Sequence, residues 1–396
     1  MTPHRRPTLH RPTAVCAVGL ISVLGLAACG SSSSTTSSGS TSTSASSPSA
    51  SSSGATSSSA GAGATSAGKS GKPIHLAMEL LLAGLPFTAE TQAGAQAAAK
   101  ELGVTLDASA PSTFDPPGAI AQVNNYLASG VDGIALGDEP AALWTRAIAD
   151  AVAKTKGNTV AFNSVPLKGT AVKTYVGNDA ADLGVQLAAE TIKAAGLGPD
   201  TTGEVIIGIC TVQSDPLKLT VNAAAETAKK LLPKATVLPP YNSQTLPSQN
   251  FAAWEQEMRA HPKAVLALGS CNQDGDSMIK AKQLTNGKFA IGTSDASPGV
   301  LAGISNGTVA VCLAQNWYLM GYTTIRLLTE AARKETVPPA GWVNTGSTVI
   351  TKANVADLVA REASPAGQAA FYKPLVAKLW SDLGAATKPL SVVQVG

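Results

Sequence analysis

Short apolar runs alternate with amphipathic segments between residues 73 and 353. Runs such as Ile74–Leu82 and Val104–Ala108 predict buried strands, and segments such as Thr88–Leu102 carry apolar residues at helical spacing. The same alternation restarts near Asp182 and continues to a helix predicted over Trp317–Glu330. Two successive runs of this kind predict an α/β protein with two doubly wound, parallel-sheet lobes.

Ligands of doubly wound sheets bind beyond the carboxyl ends of the strands, so two such lobes would share one cleft. The residues that follow predicted strands are therefore candidates for ligand contacts. They are Phe162-Asn163, Cys210–Ser214, Ser270–Asn272, Ser294-Asp295 and Ala314–Asn316.

The N-terminus has the pattern of an export signal. Residues 1–12 are basic, residues 14–26 are apolar, and the segment ends in Leu26-Ala27-Ala28-Cys29, which resembles a bacterial lipobox. This resemblance implies that residues 1–28 are a signal peptide and that Cys29 is lipidated at the outer face of the cytoplasmic membrane. An uncleaved anchor and an ordinary cleavage site are the alternatives.

Composition separates a linker from the folded part. Residues 31–68 contain no charged residue and consist almost wholly of Ser, Thr, Gly and Ala, so we expect residues 29–72 to be a flexible tether, with a reach of roughly 35 Å.

The net charge of the whole chain is +3. Since Arg5, Arg6 and Arg11 are the only charged residues among the first 28, the remainder is neutral, which argues against nucleic-acid binding.

Two catalytic motifs occur in the wrong context. Gly63–Ser70 matches a phosphate-binding loop, but low-complexity sequence precedes it where a strand is required. Gly303–Gly307 matches a nucleophile elbow, but a helix is predicted before it and a strand after it, the reverse of the required order. The sequence shows no zinc or calcium motif of the right spacing. We therefore expect a protein without catalytic activity, metal or cofactor.

The folded part resembles the ribose-type periplasmic (type I) substrate-binding proteins of ABC sugar importers. Four segments carry the resemblance in collinear order over residues 73–353: Gly84-Leu-Pro-Phe87 before a helix with Gly94-Ala95, Tyr126–Ala135 with its Gly-Val-Asp-Gly-Ile, Val176-Gly-Asn-Asp179, and Ile291–Pro298 followed by Gln315. The resemblance implies three hinge crossovers between the lobes and a ligand in the cleft between them.

The resemblance also implies ligand-binding residues. Asp295 falls on the family's sugar-hydroxyl carboxylate, Gln315 on its hinge glutamine and Phe87 on its first stacking aromatic. Phe162-Asn163 stands where the family has an Asp-Arg pair, Lys218 stands near its second arginine, and Cys271-Asn272 stands where an Asn-Asp pair is expected. Both family arginines are absent and Leu85 replaces an Asn, so a ligand other than ribose is expected, either a less polar polyol or a non-sugar.

Structural roles are open for the same residues. Asp295 could only cap the helix near Pro298, Gln315 could only bond within the hinge, Phe87 and Phe162 could fill the core, and Lys218 could be solvated. Two tryptophans, Trp144 and Trp317, fit packing on helix faces, although either could border the cleft.

In a sheet of strand order 2-1-3-4-5, the strands that end at Cys210 and at Leu268–Cys271 are neighbours. Because the outer face of the membrane permits disulfides, we expect a Cys210–Cys271 bond, with free buried thiols as the alternative. Cys312, in the middle of a strand, is expected to be a lone buried thiol.

The resemblance and the pattern together predict the domain boundaries. The N-terminal lobe comprises residues 73–177 and 316–347, and the C-terminal lobe comprises residues 178–315 and 348–362. Residues 363–396 form a helical extension that packs on the body.

The predicted function is that of a monomeric, lipid-anchored solute-binding protein, which captures a sugar or polyol-like ligand by lobe closure and delivers it to ABC permease subunits. The alternative is a sensor lipoprotein of the same fold that presents a non-sugar molecule to a membrane receptor. A repressor of this fold is disfavoured by the export signal, and a cell-surface enzyme lacks a catalytic constellation.

Overall fold

The computed structural model of the chain describes residues 72–80, 82–137 and 139–394. The predicted signal peptide, Cys29, nearly all of the predicted linker and the Gly63–Ser70 motif lie outside these residues. Within them, none of the helices combines the length and the apolar character that a membrane crossing requires.

The strands and helices alternate along the described chain. The strands are β1 His75–Glu79, β2 Thr105–Ser109, β3 Gly133–Leu136, β4 Thr159–Phe162, β5 Thr174–Gly177, β6 Gly203–Ile209, β7 Ala235–Val237, β8 Tyr241–Asn242, β9 Ala264–Gly269, β10 Ala290–Ser294, β11 Val311–Gln315, β12 Gly341–Asn344, β13 Ser347–Ile350 and β14 Thr387–Lys388. The helices are α1 Pro86–Leu102, α2 Pro116–Ser129, α3 Ala141–Lys154, α4 Ala180–Ala194, α5 Asp215–Leu231, α6 Pro247–Ala260, α7 Asp274–Thr285, α8 Pro298–Asn306, α9 Trp317–Lys334, α10 Val355–Glu362, α11 Pro365–Ser381 and α12 Leu383–Ala386, with a 3₁₀ turn at Leu390–Val392.

These strands form two sheets, one in each lobe. The first has the order β14-β12-β5-β4-β3-β1-β2, and the second has the order β13-β11-β10-β9-β6-β7 with β8 also paired to β6. All pairings are parallel except β12–β14 and β11–β13, which lie at the edges. The predicted fold of two doubly wound lobes, including the strand order used to pair the cysteines, is therefore confirmed.

Helices cover both faces of each sheet, and close contacts between small residues set the spacing in the first lobe. A Cβ atom at Gly94 of α1 would overlap the backbone carbonyl of Tyr318 in α9, and one at Gly321 of α9 would overlap that of Thr91 in α1. The two helices therefore pack with their backbones nearly touching. This contact fixes the start of α9 against the start of α1, where both helices reach the cleft.

The chain crosses between the sheets three times around the cleft, at residues 178–179, 316 and 345–346, as predicted. It then crosses once more, because α10 packs on α8 of the second lobe while β14 pairs with β12 of the first. The short strand β14 was not predicted from the sequence. It forms because β12 would otherwise leave an open sheet edge with unpaired backbone groups.

The Gly303–Gly307 segment ends helix α8 and precedes strand β11. This is the helix-then-strand order predicted from the sequence, so the segment lacks the strand–turn–helix geometry of a nucleophile elbow.

Candidate functional site

A cavity of about 130 Å³ lies between the two lobes at the carboxyl ends of their strands. A cavity of this size can hold several water molecules or a small ligand. Its walls are mainly apolar, with Leu82, Leu85, Phe87, Phe114 and Trp317 on the first lobe and Leu183 and Leu217 on the second. Polar groups come from both lobes and from the crossovers between them.

Asp295 is the carboxylate that the second lobe contributes. It follows β10 directly, it is buried, and its backbone φ is 62°, a left-handed conformation that turns the chain out of the strand. Its Oδ1 accepts a hydrogen bond of 2.7 Å from the indole Nε1 of Trp317, which belongs to the first lobe. The residue that caps α8 is Ser297, whose side chain accepts from the amide of Val300. The capping alternative for Asp295 is therefore wrong.

Gln315 lies where the middle crossover leaves the second sheet, and it both lines the cavity and bonds within the hinge. Its Oε1 accepts a 2.8 Å hydrogen bond from Nδ2 of Asn178 in the first crossover. Thr345, in the third crossover, donates to Oδ1 of Asn178, and Asn316 donates to the carbonyl of Thr345 at 2.9 Å. Side-chain amides thus tie all three crossovers together at the floor of the cavity.

Phe87 and Trp317 form an aromatic corner on the first lobe. Their ring centroids are 5.0 Å apart and the planes are tilted by 37°. Both rings line the cavity, so Trp317 has a role there beyond the helix packing that its spacing suggested. Asn163 has a φ of 65° and lies beside the first crossover, because the Tyr175 hydroxyl donates to its carbonyl and to that of Asn178.

Cys210 and Cys271 are joined by a disulfide, with an S–S distance of 2.07 Å, and both line the cavity. The loop after Cys271 is held by buried Asp274, which accepts from the Cys271 amide at 2.9 Å and from the side chains of Asn250, Trp254 and Ser243. Cys312 is a free, buried cysteine, as predicted.

Asn272 follows the disulfide and also lines the cavity. Its Nδ2 is buried and has no hydrogen-bond partner among the described residues. Because a buried donor without a partner is costly, this amide is available to an acceptor on a ligand.

The structure does not bring two of the predicted site residues to the cavity. Phe162 is buried in the core of the first lobe, where its ring uses the space left by Gly137, whose Cβ would stand 3.3 Å from the Phe162 Cζ. Alternation along β4 directs this side chain into the core, and Asn163, one residue later, reaches the cavity instead. Lys218 pairs with Asp215 at 3.0 Å and lines a neighbouring cavity between the lobes, which shares Asn163 and Pro216 with the first. Trp144 is a core residue, as its spacing suggested.

Glu139 is the functional candidate that the sequence analysis missed. It lies just after β3, it is buried, and its Oε2 accepts a hydrogen bond of 3.4 Å from Ser164. The same strand-end argument that selected Asp295 applies to β3 and could have found it. Further lining residues that were not singled out come from loops, the first crossover and the start of α4: Phe114, Asn178, Thr245, Gln273 and Ala180.

Burial raises the pKa of both cavity carboxyls. The pKa of Asp295 rises to about 6, although the hydrogen bond from Trp317 opposes the shift. Burial raises the pKa of Glu139 as well, against the hydrogen bonds from Ser214 and Ser164. Both groups therefore keep their protons to a higher pH than exposed carboxyls do.

Residues 80–336 match the periplasmic binding protein domain. The chain belongs to the periplasmic binding protein family. A comparison with curated proteins found no match. A family of solute-binding domains accounts for the two lobes, the hinge crossovers and the cavity between them.

Solved structures of periplasmic binding proteins share the fold at low identity. A glucose-galactose binding protein from Geobacillus stearothermophilus is 20% identical with a TM-score of 0.64, over 72% of this chain and 99% of that one. An arabinose binding protein from the same organism is 22% identical, with a TM-score of 0.61 over 72% and 99%. An ABC transporter solute binding protein from Burkholderia graminis, in complex with D-arabinose, is 21% identical, with a TM-score of 0.66 over 72% and 98%.

Proposed function

We propose that this protein is a lipid-anchored extracytoplasmic solute-binding protein that captures a small hydroxylated ligand, a sugar or polyol, and delivers it to an ABC import permease. The observation that carries the proposal is the cavity between the lobes, with Asp295 from one lobe and the Asn178–Gln315 pair at the crossovers. Carboxylate and amide groups suit hydroxyl hydrogen bonds, and the Phe87–Trp317 corner suits an apolar sugar face.

Lobe closure is the proposed signal to the permease. The cavity is lined from both lobes, so a ligand bound there favours the closed arrangement by touching both at once. The three crossovers are the places where backbone rotation can separate the lobes. Binding and release involve no chemical change in the ligand, as suits a solute-binding family.

The proposed residues are Phe87, Asn163, Cys271, Asn272, Asp295 and Gln315, to which the structure adds Glu139 and Trp317. The proposed anchor is Cys29, and delivery to permease subunits at the outer face of the cytoplasmic membrane follows from it. Solved relatives with sugar-binding names support the ligand class.

The test is a thermal-shift screen of neutral monosaccharides and polyols, followed by calorimetry on each hit and small-angle scattering with and without it. We expect at least one such ligand to raise the melting temperature and to reduce the radius of gyration. Asp295→Ala should weaken that binding at least tenfold, whereas Asp150→Ala, on the exposed face of α3, should not change it. Equal binding by Asp295→Ala would remove Asp295 from the site.

Anchoring and delivery are tested separately in the bacterium that makes the protein. Labelled palmitate should be incorporated into the wild type and not into Cys29→Ser, and uptake of the identified ligand should need both Cys29 and the permease. Incorporation into the Cys29→Ser variant would contradict the anchor.

A further inference from the structure

The cavity has an unbalanced charge. Among the described residues that line it, Glu139 and Asp295 carry the only titratable side chains, and none is Lys, Arg or His. The other lining groups are apolar side chains, hydroxyls, amides and the disulfide. This chain lacks the two arginines of the family that it resembles, and Asp295 stands at the position of that family's sugar-hydroxyl carboxylate.

Neither carboxyl has an ion-pair partner among the described residues. The basic side chains whose charge acts on them are Lys218 for Glu139 and Arg361 for Asp295. Both are engaged elsewhere, Lys218 with Asp215 at 3.0 Å and Arg361 with Tyr372 and Glu362. Neutral groups hydrogen-bond the cavity carboxyls instead, Ser164 and Ser214 for Glu139, and Trp317 and the backbone of Gln315 for Asp295.

Buried carboxylates without a counter-charge are costly, and burial makes these two retain protons. Asp215 opposes ionisation of Glu139, and Glu90 has a raised pKa and lies in the field of Asp295. A cation placed in the cavity would offset this cost for both groups. Three aromatic rings, Phe87, Phe114 and Trp317, line the same space, and aromatic faces also attract cations.

We propose that the cleft takes a ligand that carries a protonated amine, with Glu139 and Asp295 as its counter-charges. The proposal rests on the proposed solute-binding function and narrows its ligand class to amino sugars or amino polyols. A neutral sugar would satisfy the hydrogen-bonding groups but would leave both carboxylates without compensation, and an acidic ligand would add a third negative charge.

Binding of such a cation is coupled to proton release. In the free protein Asp295, whose pKa burial raises to about 6, is partly protonated near that pH, and burial raises the pKa of Glu139 as well. The bound ammonium favours the ionised forms of both carboxyls. Affinity for an amine should therefore rise as the pH increases from 5 to 7, as long as the amine itself stays protonated.

The experiment compares matched ligands that differ in one charge: glucose with glucosamine, galactose with galactosamine, and N-acetylglucosamine as a neutral amide. Calorimetry at pH 7.5 should show at least tenfold tighter binding of the amine in one pair. Repeating the titration in buffers of different ionisation enthalpy should show proton release at pH 6.

The variants Glu139→Gln and Asp295→Asn should each reduce the preference for the amine over the neutral sugar. The control variant Asp150→Asn should keep that preference. Circular dichroism checks that all three variants fold.

The outcomes separate this inference from the proposed function. If neutral sugars bind as tightly as their amines, the solute-binding function stands and the amine inference is overturned. If ethanolamine or choline raises the melting temperature and no sugar does, a cationic ligand is supported and a sugar ligand is excluded. If none of these probes binds, both are overturned.

Discussion

At the scale of the residue, the hydrogen bond from Trp317 to Asp295 is a direct contact between the lobes inside the cavity, as is the hydrogen bond between Ser214 and Glu139. The indole of the first lobe donates to a carboxylate of the second at 2.7 Å, and both groups are buried. When the lobes close, the Trp317 indole therefore donates to Asp295, the carboxylate that we propose binds the ligand. Trp317 is a positioning residue for Asp295 as well as part of the aromatic corner.

Trp317→Phe keeps a ring but removes the donor. We expect the pKa of Asp295 to rise above 6, because the hydrogen bond from Trp317 opposes the effect of burial. A hydrogen bond to a charged group is worth about 1.5–3 kcal/mol, so ligand affinity should fall by about tenfold or more. Calorimetry across pH measures both effects. Trp380→Phe is the matched control, because its indole Nε1 has no hydrogen-bond partner among the described residues. If the pH midpoint of ligand binding is unchanged in Trp317→Phe, Trp317 does not position Asp295.

The disulfide supports the second lobe's side of the cavity. Its two cysteines are 61 residues apart, and closing a loop of that length removes unfolded-state entropy worth about 4 kcal/mol. Cys210→Ser with Cys271→Ser should therefore lower the free energy of unfolding by a few kcal/mol, measured by urea denaturation. Thiol titration of the unfolded wild type should gain two thiols upon reduction, and an unchanged count would show that the bond is absent.

At the scale of the element, α11 connects the two lobes outside the cavity. Tyr372 stacks on Tyr318 of α9, with centroids 4.9 Å apart, and donates to Glu90 of α1 at 2.6 Å. On the other side, Arg361 of α10 donates to the same hydroxyl at 2.9 Å. The tail therefore joins a helix of the first lobe to a helix of the second through one buried phenol.

Tyr372→Phe tests this connection. The substitution keeps the stacked ring and leaves Glu90 and Arg361 without their shared partner, so the free energy of unfolding should fall by about 1–3 kcal/mol. Tyr241→Phe is the matched control, because its buried hydroxyl has no hydrogen-bond partner among the described residues and its removal should cost almost nothing. Equal stability of the two variants in urea would show that the bridge contributes nothing.

At the scale of the whole molecule, buried carboxyls make stability depend on pH. Burial raises the pKa of Glu90 from 4.5 to about 7 and that of Asp295 from 3.8 to about 6, and it raises that of Glu139. The folded protein therefore binds more protons than the unfolded chain between about pH 4 and pH 7. These three groups make the free energy of unfolding fall as the pH rises through that window.

Urea denaturation at pH 5 and pH 8, without ligand, measures this slope. Glu90→Gln keeps an acceptor for Tyr372 but cannot ionise, so the loss of stability between the two pH values should be smaller in this variant. Glu101→Gln is the control, because Glu101 contacts the partly exposed Tyr322 hydroxyl away from the cavity. A wild-type stability that rises from pH 5 to pH 8, or an equal slope in Glu90→Gln, would contradict the assignment.

The alternation of strands and helices was predictable because it depends on local spacing. Short apolar runs and the Gly, Pro and Ser residues between them predicted the strands up to β11, except the two-residue β8, with errors of a few residues. The parallel sheets followed from the alternation of strands with helices. The edge strand β14 was not predictable in this way. Its two residues have no apolar pattern, and they become a strand only because the edge of β12 is in reach.

The candidate site was likewise predictable where it depends on strand ends, and not where it depends on the direction of a side chain. Strand ends pointed to Asn163, Cys210, Cys271, Asp295 and Gln315, all of which line the cavity. The sequence could not decide which neighbour in Phe162-Asn163 faces the ligand, because a shift of one residue along a strand reverses the side chain's direction.

The sequence by itself determined the two-lobed fold, the place of the cleft and several groups on its walls, because hydrophobic spacing and strand ends are local properties. Only the tertiary structure decided that Glu139 and Asp295 share one cavity without a basic neighbour on its walls, that Trp317 donates across the lobes, and that the tail joins both lobes through Tyr372. These features depend on groups far apart in the chain, whose distances are set by the packing of whole helices and sheets.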